Sequence, residues 1–160
     1  MSVLFYASAL IAVLSTLMAI TRINVVHALL YFIVSMVSLA VMFYVLGAHF
    51  AAALEVIVYA GAIMVMFLFV IMMLNLGKPT EEQERVWLKP GMWVGPSILA
   101  IPLLIELLVV ISGSQAETQT VAVTAKEVGI ALFGPYVLAV ELASLLLLAG
   151  LVGAYHLARK

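Results

Sequence analysis

The chain contains no cysteine, which excludes disulfide scaffolds, thiolate metal sites, iron-sulfur ligation and cysteine nucleophiles together. Any redox chemistry it serves takes place on another chain. Charge is nearly as scarce: 9% of the residues are Asp, Glu, Lys or Arg, and 7 basic against 8 acidic side chains leave a net charge of -1. Neither nucleic-acid binding nor a broad electrostatic patch is indicated. No glycine-rich phosphate loop, nucleophile elbow or zinc signature occurs, so nothing here is equipped to bind a nucleotide or run a hydrolysis. His27, His49 and His156 lie far apart without ligand spacing, and no metal site is expected. The N-terminal apolar run also lacks the basic start of a secretory signal, its first positive charge, Arg22, coming after the run. That segment reads as a retained spanning helix, with the mature chain expected to start at Met1 or Ser2.

What is present is apolar. Hydrophobic residues make up 67% of the chain, against roughly 45 to 50% in a soluble domain, and the mean hydropathy is +1.30. A helix needs about 20 mostly apolar residues to cross a hydrocarbon core of about 30 Å. Five stretches qualify, near 2–21, 25–46, 51–75, 91–112 and 133–157. The expectation is an all-α integral membrane protein, a single membrane domain over 1–160, with the lipid bilayer as solvent. No internal repeat is visible, and an odd number of spans argues against a pair of inverted halves.

Local signals agree with these breaks. Asn24 can cap the second helix, and Gly77, Lys78 and Pro79 stop the third. Thr124 followed by Glu127 forms a capping-box pattern that opens a short interfacial helix. Gly134-Pro135 then interrupts the chain, with Pro135 suited to the first turn of the fifth span. Arg22, Lys78, Arg85, Lys89, Arg159 and Lys160 fall on one side and Lys126 alone on the other. The positive-inside rule therefore places the N-terminus outside and the C-terminus in the cytoplasm.

Glu55, Glu106 and Glu141 sit inside these spans, where each would cost about 2.5 to 3.5 kcal/mol near a helix centre if charged. Groups of this kind build proton relays; the plainer alternative is a protonated glutamate bonded to a neighbouring helix. Pro96 and Pro102 can free backbone carbonyls in the helix of Glu106, which marks that acid as a structural hydrogen-bond donor. Glu55 and Tyr59 are four apart and share a helix face, so a carboxyl and a phenol can lie along one wire of water. Ala60-Gly61-Ala62 beyond them allows a close helix approach and loosens the ladder at Gly61, with close packing alone as the plainer reading. Met64, Met66, Met72 and Met73 read as adaptable packing. In the fifth span, Glu141 and Ser144 form a polar stripe suited to a partner helix.

The segments VHALLYF, LEVIVYAGAIMV and FGPYVLAVELAS, together with the EQERVWLKP loop, closely resemble the J-subunit family of bacterial respiratory complex I, the counterpart of mitochondrial NADH dehydrogenase subunit 6. The likeness covers the first three spans, the loop and the fifth span. It implies a place in the membrane arm of a proton-translocating NADH:quinone oxidoreductase in the bacterial inner membrane, beside the K, H, A and N subunits. NADH, FMN, iron-sulfur clusters and quinone would then be used on other subunits, with no cofactor and no catalytic residue on this chain. The family's third helix carries a π-bulge, carried over here to Tyr59 and Gly61, and forming or straightening it makes or breaks a water path between the quinone cavity and the proton channels. The gating and proton-path candidates are Glu55, Tyr59, Gly61, Met64, Phe67 and Glu141. Val25 stands where family members often have Pro, Glu106 matches no acid of the pattern, and the chain ends at Lys160 without the longer polar tail of some members. Two rival readings remain: a small subunit of a cation/proton antiporter assembly, and a purely structural membrane scaffold.

Overall fold

Backbone groups in lipid have no water to bond, so apolar runs of this length close their hydrogen bonds internally as helices. The computed structural model describes residues 3–74, 90–112 and 122–159, and no strand occurs among the described residues. The elements are α1 (Val3–Thr21), α2 (Val25–Val45), α3 (His49–Leu54), a π-helix (Glu55–Ile63), α4 (Met64–Leu74), α5 (Pro90–Ile111), α6 (Ala125–Phe133) and α7 (Val137–Ala158). Five helices are long and apolar enough to cross a membrane: Val3–Thr21, Val25–Val45, His49–Met73, Trp93–Ile111 and Val137–Ala158. The third of these runs unbroken through α3, the π-helix and α4. The expected all-α, five-span architecture is therefore present. Gly77, Lys78 and Pro79, and the loop cations Lys78, Arg85 and Lys89, lie outside the described residues.

The chain packs as two compact units, Met1–Ala122 and Val123–Lys160. In the first, α1 lies against α2, and α5 packs on both. Ile11, Val41 and Leu103, one from each helix, are buried at the centre, with Val34, Val37, Leu99 and Leu107 against them. The turn between α1 and α2 is held by Asn24, whose side-chain oxygen accepts the backbone N–H of Val26 at 3.0 Å and of His27 at 3.3 Å. Two donors that no helical carbonyl can reach are thereby satisfied. At the other end of α2, Gly47 takes φ 85°, a left-handed conformation that costs other residues more. The chain reverses there and the third span starts at His49, two residues before the expected 51.

In the second unit, Thr124 and Glu127 form the capping box that opens α6. The Thr124 N–H donates to Glu127 Oε2 at 2.7 Å, and the Glu127 N–H donates back to Thr124 Oγ1 at 3.3 Å. The Thr124 hydroxyl also donates to Glu127 Oε2 at 3.0 Å, and the two bonds to the carboxyl, that from the Thr124 backbone first and then that from its side chain, hold it below the ordinary range, against an opposing effect of desolvation. Gly134, Pro135 and Tyr136 then form a turn, and α7 starts at Val137 rather than at the expected 133. Pro135 sits in that turn, ahead of the helix and not in its first turn. The missing proline donor and the Gly134 turn both favour a stop followed by a fresh start.

Candidate functional site

The centre of the third span departs from α-helical geometry. Over the nine residues Glu55–Ile63 the ladder is π-helical, and it ends where the Met64 N–H bonds the carbonyl five residues back, that of Tyr59. The run Val56-Ile57-Val58 contributes β-branched side chains, which crowd an α-helix, and Gly61 gives up helix propensity. Both lower the cost of the wider turn. Long π-helices are rare and single π-turns tend to mark functional sites. Gly61 has a particular place in this geometry: a Cβ built there would lie 3.1 Å from the carbonyl oxygen of Val56, five residues back. Any side chain at 61 presses on the carbonyl that the π ladder brings close.

The side chains that the sequence singled out are distributed unevenly along this helix. Ala60 and Met64 are buried, while Glu55 is partly covered and Tyr59, Gly61 and Phe67 are exposed. No hydrogen bond joins the Glu55 carboxyl to the Tyr59 phenol among the described residues. Val56, at the start of the π-helix, lines an apolar cleft of about 270 Å³ together with Val37 and Val41 of α2 and Leu107 of α5. The wider turn therefore borders a space in which side chains have room to shift, while Tyr59 is half exposed.

Glu141 sits on α7, none of whose residues is buried within the chain. The Ser144 hydroxyl donates 2.7 Å to the backbone carbonyl of Glu141, so the serine turns back on its own helix and leaves the carboxylate facing outward. Glu55, Tyr59, Gly61 and Met64 are thus brought together on one helical segment, and Glu141 belongs to the other unit.

Glu106 is placed differently. It is 7% exposed, and the Ser8 hydroxyl of α1 donates to its Oε2 at 2.7 Å. The expectation of a hydrogen-bond donor is corrected: the carboxyl accepts, from a serine 98 residues away. Ser8 belongs to a polar seam that sequence reading passed over. The Thr16 and Ser35 hydroxyls meet at 2.8 Å across α1 and α2, and Ser35 also reaches the Ala12 carbonyl at 3.3 Å. Ser15 bonds the Ile11 carbonyl of its own helix, and Ser38 is fully buried without a hydrogen-bond partner among the described residues. A sequence signal did exist: Ser8, Ser15, Ser35 and Ser38 are small polar residues at seven- and three-residue spacings inside two apolar runs, the pattern of a membrane helix interface.

The chain matches the family described as NADH-ubiquinone/plastoquinone oxidoreductase chain 6 over residues 15–157. It is 61% identical over 158 residues to the NADH-quinone oxidoreductase subunit J of Pseudomonas aeruginosa, covering 98% of this chain and 95% of that one. Against the protein of the same name from Escherichia coli, identity is 57% over 157 residues, with 98% of this chain and 85% of the relative covered. A third, from Buchnera aphidicola subsp. Schizaphis graminum, is 49% identical over 161 residues, at 100% and 99% coverage.

Proposed function

The chain belongs to the NADH-ubiquinone/plastoquinone oxidoreductase chain 6 family, and from that premise we propose that it couples quinone reduction to proton translocation within the membrane arm of NADH:quinone oxidoreductase. It is a multi-pass membrane subunit of an oxidoreductase complex. Its third span is the coupling element: the π-helix Glu55–Ile63 interconverts with a regular α-helical form, and the change turns Tyr59 and the carboxyl of Glu55 relative to the residues beyond Ile63. One conformation supports a chain of water past these groups and the other interrupts it. Met64 and Phe67 line the moving segment, and Glu141 is a supporting acid presented to a partner subunit.

The observation that carries this reading is the π-helix itself, which begins at Glu55 and has Tyr59 at its centre. A π-turn holds one residue more per hydrogen-bonded ring than an α-turn, so its loss rotates everything on one side of it. The outward exposure of Tyr59 and of α7 supports neighbours in the complex, which we take to be the K, H, A and N subunits. NADH, FMN, iron-sulfur clusters and quinone act on other chains of the assembly. In the membrane the N-terminus faces outside and the C-terminus the cytoplasm, in accord with the positive charge at Arg22 and Arg159.

The test is Gly61→Val in the assembled complex. A β-branched side chain at 61 pushes on the Val56 carbonyl and disfavours the π form. The expected result is normal assembly and NADH oxidation with fewer protons moved per electron; a full proton yield would overturn the gate. An antiporter assembly would instead show no co-purifying NADH:quinone reductase activity. A pure scaffold would lose assembly or nothing, never coupling alone.

A further inference from the structure

Beyond the coupling helix, the turn between α1 and α2 encloses a cavity of about 400 Å³ lined by Thr21, Arg22, Asn24, His27 and Tyr31, with Gly91 and Gly95 of α5 opposite. The turn ends two spans, so the cavity lies where hydrocarbon gives way to headgroups. Ile23, between Arg22 and Asn24, is fully exposed, as a residue dipping into lipid would be.

The lining is built around positive charge and hydrogen-bond donors. The Arg22 guanidinium stands 5.5 Å from the centre of the Tyr31 ring, a stacking contact that orients its plane while leaving its N–H groups free to bond an anion. One of them reaches only the soft sulfur of Met18, at 3.5 Å, and no carboxylate pairs with it among the described residues. His27 is 9% exposed, lines the cavity, and its ring makes no hydrogen bond to any described residue. Tyr31 is 2% exposed, and a Cβ on Gly95 would fall 2.1 Å from its hydroxyl oxygen, so the glycine leaves the phenol a place that no other residue would. The N-terminus of α2 faces the same space and adds its partial positive charge.

We propose that this cavity is a binding site for the phosphate of an anionic phospholipid, with Arg22 as its principal ligand and the His27 ring and Tyr31 hydroxyl as further donors. The guanidinium fork fits two phosphate oxygens. The apolar side of the cavity and Ile23 receive the start of the acyl chains, which favours a lipid over free phosphate. A single basic residue at the surface attracts anionic headgroups only weakly; the donors gathered beside Arg22 give selectivity.

The test uses the intact complex in nanodiscs of phosphatidylcholine doped with photoactivatable phosphatidylglycerol, or with a phosphatidylcholine probe of the same acyl chains. Cross-links are mapped by mass spectrometry. The phosphatidylglycerol probe is expected to label the 21–31 segment in preference to the phosphatidylcholine probe. R22Q should lower that labelling about tenfold, the loss expected for one charge-assisted contact. R22K, which keeps the charge but not the fork, should lower it by an intermediate factor. His27→Leu should lower it by a smaller factor. Equal labelling by both probes, no labelling of this segment, or undiminished labelling in R22Q would overturn the proposal. Loss of labelling on adding millimolar inorganic phosphate at constant ionic strength would assign the site to the free anion instead and overturn it as a lipid site. The comparison of the two probes needs no variant, so a failure of R22Q to assemble leaves the test standing.

Discussion

Ser8, Thr16, Ser35 and Glu106 face the interior of the first unit and find their partners there. On the third span of the same unit, Glu55 is only partly covered and Tyr59 is exposed, and neither side chain has a hydrogen-bond partner among the described residues. Both regions place polar side chains in an apolar medium, where an unsatisfied group costs several kcal/mol. The inward set is closed by contacts within the chain, so its polar atoms hold α1, α2 and α5 in register and have little left with which to exchange protons. The outward set is open, and only another subunit or water can complete it. Burial thus separates acids that hydropathy treats alike: Glu106 is enclosed and hydrogen-bonded within the chain, whereas Glu55 is only partly covered and Glu141 is exposed.

The largest expected effect tests the inward side. Gly95→Val drives a side chain into the Tyr31 hydroxyl, and overpacking of this kind costs about 1 to 3 kcal/mol or more. The yield of assembled complex on native gels should collapse, and near-normal yield would mean that α2 and α5 are not tightly fitted. Next comes the outward side, where Gly61→Val should shift the π form by about 1 kcal/mol, roughly a fivefold change in its population. The proton-to-electron ratio in vesicles should fall while assembly holds.

Glu106→Leu leaves the Ser8 hydroxyl without its acceptor and is expected to destabilise the unit by about 1 to 3 kcal/mol. Glu106→Gln keeps an acceptor and should leave stability and pumping near wild type; lost pumping in Glu106→Gln would break the distinction drawn here. Glu141→Gln is expected to lower pumping by a smaller factor than Gly61→Val, with assembly unaffected.

The smallest effect lies at the start of α6. Thr124→Ala removes the cap and should raise amide exchange at Val128 about fivefold. Because Thr124 holds the Glu127 carboxyl below its ordinary pKa, the stabilisation from this pair is present above the unfolded carboxyl value. It is lost as pH falls through the lower folded value. Exchange at the start of α6 should therefore accelerate on acidification in the wild type and less so in the variant.

The spans were legible because a bilayer imposes one rule on every residue of a segment, and the sum over 20 residues is a strong signal. Asn24 and the Thr124–Glu127 box were legible for a related reason, since each acts on backbone three residues away or less. Where described boundaries differ from the expectation, the cause is local: the break at Gly134-Pro135 displaced the start of α7 to Val137. The Ser8–Glu106 contact was not legible: it joins residues 98 apart, and nothing in the helix of Glu106 indicates which neighbour will face it. Pro96 and Pro102 suggested a local donor role, yet the nearest useful group came from another helix.

Composition and hydropathy by themselves determined that this chain is a five-span helical membrane protein, because that property follows from local transfer free energies summed over each segment. Tertiary structure decided which acid is enclosed, that the centre of the third span is π-helical, and that Arg22, His27 and Tyr31 line one cavity. Each of these depends on which faces of distant helices meet, and on small differences between nearly equal packings, which no single segment encodes.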